Sequence, residues 1–315
     1  MSNKTLIPLA LIGLVLGLAG CRAAPTAAPT ASPTAAPTAA PTAAPAGRTT
    51  IVLADISDDP AKVIKRYQPL ADYLAAHLAD YDITAGDVKV APDLDTMARW
   101  MKDGEVDLYF DSPFPALIVS DAGGQVILRR WKSGVAEYRT VLVVKKDSPF
   151  TSLGDLRGHV VAYDEPYSTT GYMLPTAYML ESGFKPVEVQ NTDQAVGQNE
   201  IGYFFGYSDE NTIDWVLTDK VSAGAVSDDA IPDEVKDQLT SLLESEFLPR
   251  NLVVVRSGLD ASLVQTIKEL LIGIDQTPEG PEILDAFQKT AKFDEVPNLA
   301  ATMSRMRALY DLVSK

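Results

Sequence analysis

Short apolar runs alternate with amphipathic stretches along the chain from residue 50 onward. Thr50–Ala54 predicts a strand, and Asp59 followed by Pro60 predicts a helix start, because Pro is favoured at the first helical position. Apolar residues then recur at three- and four-residue spacing and predict one buried stripe: Val63, Tyr67, Leu70, Leu74 and Leu78. The next predicted elements are strands Val88–Ala91, Val106–Phe110 and Val126–Leu128 and helices Leu94–Met101 and Pro115–Asp121.

A second alternating set follows Thr140–Val144. Its predicted strands are Val160–Tyr163, Ala223–Val226 and Asn251–Val255, and its predicted helices are Thr170–Glu181, Asn211–Leu217, Ala261–Ile274 and Pro281–Phe287. Strand–helix alternation favours mostly parallel sheets flanked by helices, so the sequence predicts a two-lobed α/β protein. We expect a first lobe of residues 49–145 and 250–315 and a second lobe of residues 146–249.

The chain is therefore expected to cross between the lobes twice, near Val144–Asp147 and near Leu248–Asn251. In an α/β protein of this kind a ligand binds where strand ends and helix N-termini converge. The cleft between the lobes is the expected binding site.

The first twenty residues have the pattern of a lipoprotein signal peptide. Lys4 precedes an apolar stretch from Leu6 to Ala19, which ends in small residues before Cys21. A stretch this short is typical of a segment that is removed rather than kept as a membrane span. We expect lipidation of Cys21, which then becomes the mature N-terminus; an uncleaved anchor is the alternative. Both interpretations place the folded part outside the cytoplasm, anchored to the cell membrane.

Residues 21–48 form the expected linker. Its prolines recur every four positions among Ala and Thr: Pro25, Pro29, Pro33, Pro37, Pro41 and Pro45. Such a run has little to bury and stays extended, with a reach of roughly 80 Å. It is long enough to hold the folded part clear of a membrane surface.

Charge and cysteine content narrow the function. The formal net charge is −16, so a nucleic-acid partner is not expected. Cys21 is the single cysteine, which excludes an internal disulfide and a cysteine metal site. We expect a monomer that binds a small molecule and needs no metal or cofactor.

The sharpest local signal runs from Tyr163 to Tyr172, where a strand ends, hydroxyl residues follow and a helix begins. The first turn of a helix has unpaired N–H groups and a partial positive charge, so it attracts anions. Ser168, Thr169 and Thr170 add hydroxyl donors at the same place. The pattern suits a phosphonate, phosphate or carboxylate group, and simple N-capping by Ser168 or Thr169 explains it equally well.

Three motifs resemble the binding proteins of phosphate/phosphite/phosphonate ABC transporters. Ser168-Thr169-Thr170-Gly171 with Pro175 is similar to that family's Ser-Thr-Ser-Gly-x-x-x-Pro element. The stretch 104–108 resembles its Gly-x-Val-Asp segment, and residues 147–158 resemble its Asp-Ser-Pro-x-x-x-Leu-x-Asp-Leu-x-Gly crossing. The resemblance covers roughly Ile51 to Val296.

The resemblance implies a type II periplasmic-binding fold and delivery of ligand to an ABC permease. It places Ser168, Thr169 and Thr170 on the ligand's oxyanion and puts first-lobe contacts in the loops Ile56–Asp58 and Asp111–Pro113. The full set of candidate ligand-binding residues is Ser57, Asp58, Asp111, Ser112, Tyr167, Ser168, Thr169, Thr170, Gly171, Glu210 and Asn211. A sensory lipoprotein of the same fold is the alternative role.

Departures from the family pattern point to a rebuilt site. Asp111 or Ser112 stands where the family usually has an aromatic residue, the region 206–211 lacks the family's histidine, and Ser227 stands in place of an aspartate. A zwitterionic or amine-bearing ligand is therefore a second hypothesis, because a carboxylate and an aromatic face both attract a cation. Its candidate residues are Asp58, Asp111, Glu210, Tyr163, Tyr167 and Tyr172. His77 and His159 are expected to be structural.

One basic cluster remains, Arg129-Arg130-Trp131-Lys132. We expect it at the solvated surface, where it could dock a permease; the alternative is that it reaches the cleft and binds an oxyanion. Glu137-Tyr138-Arg139 is expected to support the site from behind. The chain lacks the Gly-x-Ser-x-Gly, His-Glu-x-x-His and Walker motifs, so we do not expect an enzyme.

Overall fold

The computed structural model of the protein describes residues 48–315. The predicted signal peptide, Cys21 and nearly all of the linker lie outside these residues. The strands are β1 Thr50–Ile56, β2 Ala85–Ala91, β3 Leu108–Asp111, β4 Gly124–Arg130, β5 Glu137–Tyr138, β6 Thr140–Lys145, β7 Val160–Tyr163, β8 Lys185–Glu188, β9 Glu200–Phe205, β10 Ala223–Ser227, β11 Leu239–Glu244, β12 Leu248–Pro249, β13 Asn251–Arg256 and β14 Phe293–Asp294. The α-helices are α1 Pro60–His77, α2 Leu94–Lys102, α3 Pro113–Asp121, α4 Leu174–Glu181, α5 Asp209–Leu217, α6 Asp233–Lys236, α7 Ala261–Gly273, α8 Gly280–Ala286 and α9 Leu299–Val313.

The first sheet has the strand order β14-β4-β13-β3-β1-β2. β1 pairs in parallel with β2 and β3, whereas β13 is antiparallel to both β3 and β4. β1, β3 and β4 therefore run in one direction and end at the same edge of the sheet.

The second sheet has the strand order β11-β6-β10-β7-β9-β8. β8, β9, β7 and β10 are parallel, and β6 is antiparallel to β10 and β11. Below, "first lobe" means the first sheet with α1, α2, α3, α7 and α8, and "second lobe" means the second sheet with α4, α5 and α6. Two mostly parallel sheets flanked by helices confirm the predicted α/β class.

The first crossing between the sheets lies earlier than predicted. Residues 140–145 were expected to end the first lobe, but as β6 they pair with β10 and β11 of the second sheet. The crossing strand β5 pairs instead with β12 in a separate two-stranded ribbon. The change of lobe therefore falls at residues 138–140 rather than at Val144–Asp147, because the apolar run 140–145 is buried in the second sheet.

The amphipathic pattern of α1 was correctly predicted. Asp59 caps this helix by accepting a hydrogen bond from Lys62 N (3.1 Å), and Pro60 occupies its first turn. The stripe Val63, Tyr67, Leu70, Leu74 and Leu78 is buried against the first sheet. Tyr67 of this stripe packs edge-on against Phe110 (6.1 Å between ring centroids), and its hydroxyl lies near Asp55 at the end of β1.

The helix predicted from Thr170 begins instead with a π-helical turn, Thr169–Met173, before α4. Pro175 has no N–H, so the carbonyl of Gly171 receives no helical hydrogen bond from it. That carbonyl accepts a hydrogen bond from Asp164 N instead (3.1 Å). The wide first turn is thereby tied to the loop that follows β7.

Helix α9 packs against both lobes. Its Met306 and Leu309 share a buried cluster with Leu117 of α3 and Ala177 of α4. Arg305 of α9 also forms an ion pair with Glu181 at the end of α4 (3.0 Å). Within residues 48–315, the helices all fall short of the length and apolar character that a membrane span requires.

Candidate functional site

Charged side chains gather where β1, β3 and β4 end. Asp55 lies near the end of β1, Asp111 ends β3 and Arg130 ends β4. Since the three strands run in one direction, these residues line the same edge of the first sheet. The edge is the first-lobe wall of the candidate cleft.

Two carboxyl groups on this wall influence each other. Burial raises the pKa of Asp55 to about 6, and the nearby Asp111 adds to the rise, while Tyr67 and Lys132 oppose it. Asp111 accepts hydrogen bonds from the Tyr109 hydroxyl and from Ser112 N (2.6 Å). Asp111 is thus held in place by its own strand and by the residue that starts α3.

Arg130 is fully buried, with 0% of its surface exposed. Its Nε donates to Thr290 Oγ1 (2.8 Å), and its Nη2 donates to the carbonyl of Phe287 (2.8 Å) and to Gln288 Oε1 (3.0 Å). Its Nη1 is buried and has no hydrogen-bond partner among residues 48–315. The Tyr67 hydroxyl lies next to this guanidinium.

The basic cluster 129–132 is therefore not a surface patch, and that prediction was wrong. Alternation along β4 sends neighbouring side chains to opposite faces of the sheet. Arg129 forms ion pairs with Asp294 (2.8 Å) and Glu137 (3.1 Å), whereas Arg130 is enclosed by the residues that follow α8. Both guanidinium groups are buried because this end of β4 lies inside the sheet, between β13 and β14.

Lys132 lies among charges from three parts of the chain. Burial lowers its pKa first, the positive charges of Arg130 and Arg250 lower it further, and Asp111 and Asp55 oppose the shift. Lys132 also lowers the pKa of Glu165, which belongs to the second lobe. The side chain is half-buried and forms no ion pair within the part of the chain that the structure describes.

The predicted anion-binding turn lies directly against the first lobe. Ser168 caps the turn by accepting a hydrogen bond from Gly171 N (3.0 Å). The Thr169 hydroxyl donates to Ser112 Oγ (3.1 Å) and accepts from Phe114 N (2.8 Å). These bonds join the start of the second-lobe helix to the start of α3.

Gly171 is required at this turn by the close approach of the chain. A Cβ at this position would lie 2.3 Å from Asp164 Cβ and 3.0 Å from Ser168 Oγ. The neighbouring Thr170 is buried, and its carbonyl accepts a hydrogen bond from the Thr140 hydroxyl. Ser112, Ser168, Thr169, Thr170 and Gly171 are thus brought together, and their role in ligand binding stays a prediction.

Carboxyl groups line the second-lobe wall beside this turn. Burial raises the pKa of Asp164 and, with added repulsion from Asp164 and Asp111, that of Glu165. Burial and the charge of Asp164 raise the pKa of Asp209 to about 7, although Arg250 opposes the rise. The cleft between the walls therefore contains more acidic than basic groups.

The crossing segments complete the site. Burial raises the pKa of Tyr138 to about 12, and its hydroxyl lies beside Thr169 and Ser112 without a partner in good hydrogen-bond geometry. Arg250 stacks over the Tyr138 ring (4.5 Å to the centroid) and pairs with Asp229 (3.2 Å). Asn251 Oδ1 is also buried without a partner in the described residues.

Several predicted residues lie outside this buried cluster. Ser57 Oγ accepts a hydrogen bond from Asp59 N (3.0 Å), and Asp58 is exposed. Tyr167 is 43% exposed, and Glu210 is exposed on α5. Asn211 donates its side-chain amide to the carbonyl of Gly206 (2.8 Å).

The structure also shows the surroundings of Tyr163, His77 and His159, for which the sequence made predictions. Tyr163 was a candidate for facing a cation, but it is fully buried and stacks on Tyr203 (4.9 Å) because β7 lies inside the second sheet. His77 Nδ1 lies 2.8 Å from the carbonyl of Tyr73, and the His159 ring packs edge-on against Phe150 (4.9 Å). The two histidines thus make local contacts away from the cleft.

Four carboxyl groups of the cleft were not predicted from the sequence as site residues: Asp55, Asp164, Glu165 and Asp209. Asp164 and Glu165 had a usable signal, since they directly follow the predicted strand Val160–Tyr163. Asp55 interrupts the apolar run of β1 near its end. No cluster of three or more His, Cys, Asp or Glu residues suited to a metal ion occurs in residues 48–315.

Comparison with known proteins agrees with this architecture. A family model described as "ABC transporter, phosphonate, periplasmic substrate-binding protein" matches residues 56–298. The phosphonates-binding periplasmic protein of Escherichia coli (strain K12) is 25% identical over 203 residues, covering 62% of this chain and 58% of that relative. The chain thus spans less than two thirds of that relative's length.

Solved structures show the same fold. XAC2383 from Xanthomonas citri bound to chloride superposes with a TM-score of 0.79 at 25% identity, covering 85% of this chain and 99% of that chain. The same protein bound to ATP gives a TM-score of 0.79 at 24% identity, with 85% and 98% covered. PhnD1 from Prochlorococcus marinus (MIT 9301) in complex with methylphosphonate gives a TM-score of 0.61 at 16% identity, covering 85% of this chain and 99% of that chain.

Proposed function

Because the chain belongs to the family of periplasmic substrate-binding proteins of phosphonate ABC transporters, we propose that it captures a small phosphonate- or phosphate-like anion between its lobes. Its architecture is that of the type II periplasmic binding proteins. The family consists of binding proteins and not of enzymes, in agreement with the prediction from sequence. The protein's own ligand and partners belong to the proposal.

One observation supports a polar ligand in the cleft above all others. The buried polar atoms without a hydrogen-bond partner among residues 48–315 include Arg130 Nη1 at the first-lobe wall and Tyr138 Oη and Asn251 Oδ1 in the crossing segments. Leaving a buried polar group unsatisfied costs about 1–3 kcal/mol, so such groups are normally paired. A small polar ligand entering between the walls would supply partners for this region.

The second-lobe turn supplies donors of the kind that an oxyanion needs. Thr169 N and Thr170 N have no acceptor within the described residues, because they lie in the first turn of a helical segment. In the proposed complex these amides and the hydroxyls of Ser168, Thr169 and Thr170 bind the anion. Ser112 of the first lobe lies opposite and closes the site, with Asp111 beside it.

A thermal-shift screen tests the ligand class. The full chain in detergent is heated with phosphate, phosphite, methylphosphonate, 2-aminoethylphosphonate, methanesulfonate, ATP and amino acids. A ligand at about 100 times its Kd stabilises the folded state by about 2.7 kcal/mol, so a true ligand gives a clear rise in melting temperature. A rise with amino acids alone, and with none of the phosphorus oxyanions, would refute the proposed class.

A zwitterionic ligand is the second candidate, favoured by the carboxyl groups of the second-lobe wall. Asp164, Glu165 and Asp209 lie beside the proposed anion site, and burial raises the pKa of each. An ammonium group would stabilise their charged forms. We expect tighter binding of 2-aminoethylphosphonate than of methylphosphonate at pH 8, and equal affinities would argue against this candidate.

We also propose that Cys21 carries the lipid anchor and that the ligand is passed to an ABC permease. The pattern Leu18-Ala19-Gly20-Cys21 after a short apolar stretch supports the anchor. Cell fractionation tests it: wild-type protein should sediment with membranes, whereas Cys21→Ser should not acquire a labelled fatty acid. Labelling of Cys21→Ser to the wild-type level would contradict the anchor.

A further inference from the structure

Lys132 and Arg130 are the basic residues near the cleft that have no carboxylate in contact within the described residues. Arg129 pairs with Asp294 and Glu137, Arg250 pairs with Asp229, and Arg139 pairs with Asp228. No carboxylate of residues 48–315 lies within ion-pair distance of Lys132 Nζ. A half-buried ammonium group without a partner is costly, because burial penalises the charged form.

The groups that face Lys132 come from elements far apart in sequence. Arg130 and Arg250 contribute positive charge, while Asp55, Asp111 and Glu165 contribute negative charge from both walls. The like charges of Arg130 and Arg250 act against Lys132 more strongly than these carboxylates act for it. Lys132 and Arg130 are thus cationic groups of a mostly acidic cleft that pair with none of the carboxylates of residues 48–315.

Arg130 Nη1 is the second unsatisfied cationic group at this place. The residues after α8 occupy Nε and Nη2 of the guanidinium, so the whole group is fixed in orientation. The remaining nitrogen is buried without a partner in good hydrogen-bond geometry, and Tyr67 and Asp55 lie near the guanidinium. A fixed guanidinium with one free nitrogen is suited to a charge-assisted hydrogen bond with an oxyanion.

We propose that Lys132 Nζ and Arg130 Nη1 form a cationic subsite that binds the doubly charged oxyanion of the ligand opposite the hydroxyls of Ser168–Thr170. This inference rests on the proposed function and adds a requirement for the charge of the ligand. Two cations favour a dianion such as a phosphonate or a phosphate monoester over the singly charged sulfonate of the same shape. Specificity then depends on the first-lobe wall, and the neutral donors of the second lobe fix the orientation.

The test uses isothermal titration calorimetry of the full chain in detergent at pH 8 with methylphosphonate and methanesulfonate. Lys132→Met removes the charge and keeps the length of the side chain, whereas Lys132→Arg keeps the charge. Lys292→Met is the matched control, since Lys292 lies over the Trp131 ring (4.2 Å) and outside the cleft cluster. Lys132 is half-buried, so these changes avoid the folding defect expected from replacing the fully buried Arg130.

We expect wild type to bind methylphosphonate at least tenfold more tightly than methanesulfonate. Lys132→Met should lose at least tenfold in methylphosphonate affinity, while Lys132→Arg and Lys292→Met stay within about threefold of wild type. If wild type binds methylphosphonate and Lys132→Met binds it within about threefold of wild type, the subsite is refuted. The proposed function would still stand in that case. Binding of neither probe by wild type would overturn both.

Discussion

The hydroxyl groups of Thr169 and Ser112 form a hydrogen bond of 3.1 Å that joins the two lobes. Thr169 Oγ1 also accepts the hydrogen bond of Phe114 N (2.8 Å), an amide in the first turn of α3. One side chain in the proposed anion-binding turn therefore links the start of one helix to the start of the other. The contact between the lobes and the proposed binding site therefore share the same residue.

Replacing Thr169 by Val keeps the shape of the side chain and removes its hydroxyl. The buried Phe114 amide then loses its acceptor, so we expect a loss of about 1–3 kcal/mol in unfolding free energy and a similar loss in binding free energy. Urea denaturation and calorimetry measure the two effects. Thr240→Val, on the exposed face of β11, is the control, and an equal effect in both variants would contradict a special role for Thr169.

Gly171→Ala tests the close packing of the turn. The added Cβ would meet Asp164 Cβ at 2.3 Å, so either the turn or the loop after β7 must move. Overpacking of this kind costs about 1–3 kcal/mol, and we expect a lower melting temperature and weaker ligand binding. Gly273→Ala is the control because its Cβ would meet nothing within 4 Å. If Gly171→Ala keeps the wild-type melting temperature and affinity, the close packing of the turn does not require glycine at this position.

The raised pKa of Asp209 predicts that the free energy of unfolding depends on pH. Burial raises its pKa from 3.8 to about 7, so the folded state holds the proton more tightly than the unfolded chain. The stability it contributes is fully present below pH 3.8 and is lost as the pH rises towards 7. Asp209→Asn should therefore resemble wild type near pH 4 and exceed it at pH 8 by on the order of 2 kcal/mol.

Urea unfolding of both proteins at several pH values measures this difference. Asp193→Asn, at an exposed position, is the control and should follow the wild-type curve at every pH. A constant difference between Asp209→Asn and wild type from pH 4 to pH 8 would show that Asp209 does not titrate in this range.

The buried pair of Asp107 and Arg256 predicts a large effect on stability. Asp107 accepts hydrogen bonds from Arg256 Nε (2.6 Å) and from Val52 N (2.8 Å), and both side chains are buried. Asp107→Ala leaves the guanidinium buried without this partner, so we expect a loss of about 3–5 kcal/mol in urea denaturation.

Two variants check that interpretation. Glu105→Gln breaks the more exposed pair with Lys89 (2.5 Å) and should cost no more than about 1 kcal/mol. The double variant Asp107→Leu with Arg256→Met should recover much of the lost stability, because the buried guanidinium and its carboxylate are removed together. Arg48, 3.6 Å from Asp107 and more exposed, keeps its hydrogen bonds to the carbonyls of Gly104 and Glu105. A double variant less stable than Asp107→Ala would contradict the argument from burial of charge.

Local patterns predicted the elements well where one segment determines its own structure. The stripe of α1, its Asp59 cap and the order strand, hydroxyl cluster, helix at residues 160–181 all follow from neighbouring residues. The edge strands β8 and β11, both only partly buried, were missed because they lack a clear apolar alternation. The predicted first crossing was late because an apolar run does not reveal which sheet will bury it.

The amino-acid sequence by itself determined the alternation of strands and helices, the acidic charge and the position of Ser168–Gly171 at a helix start. Only the tertiary structure decided which polar side chains share the cleft. Asp55, Arg130 and Lys132 meet because strand order and direction bring distant segments to one edge of the first sheet, and Asp209 lies near Asp164 in the second lobe. The same holds for burial: Arg130 looks like a surface residue in its own segment, and the loop after α8 encloses it. Electrostatic environment is a property of the assembled lobes, because it depends on desolvation and on charges that are separated along the chain.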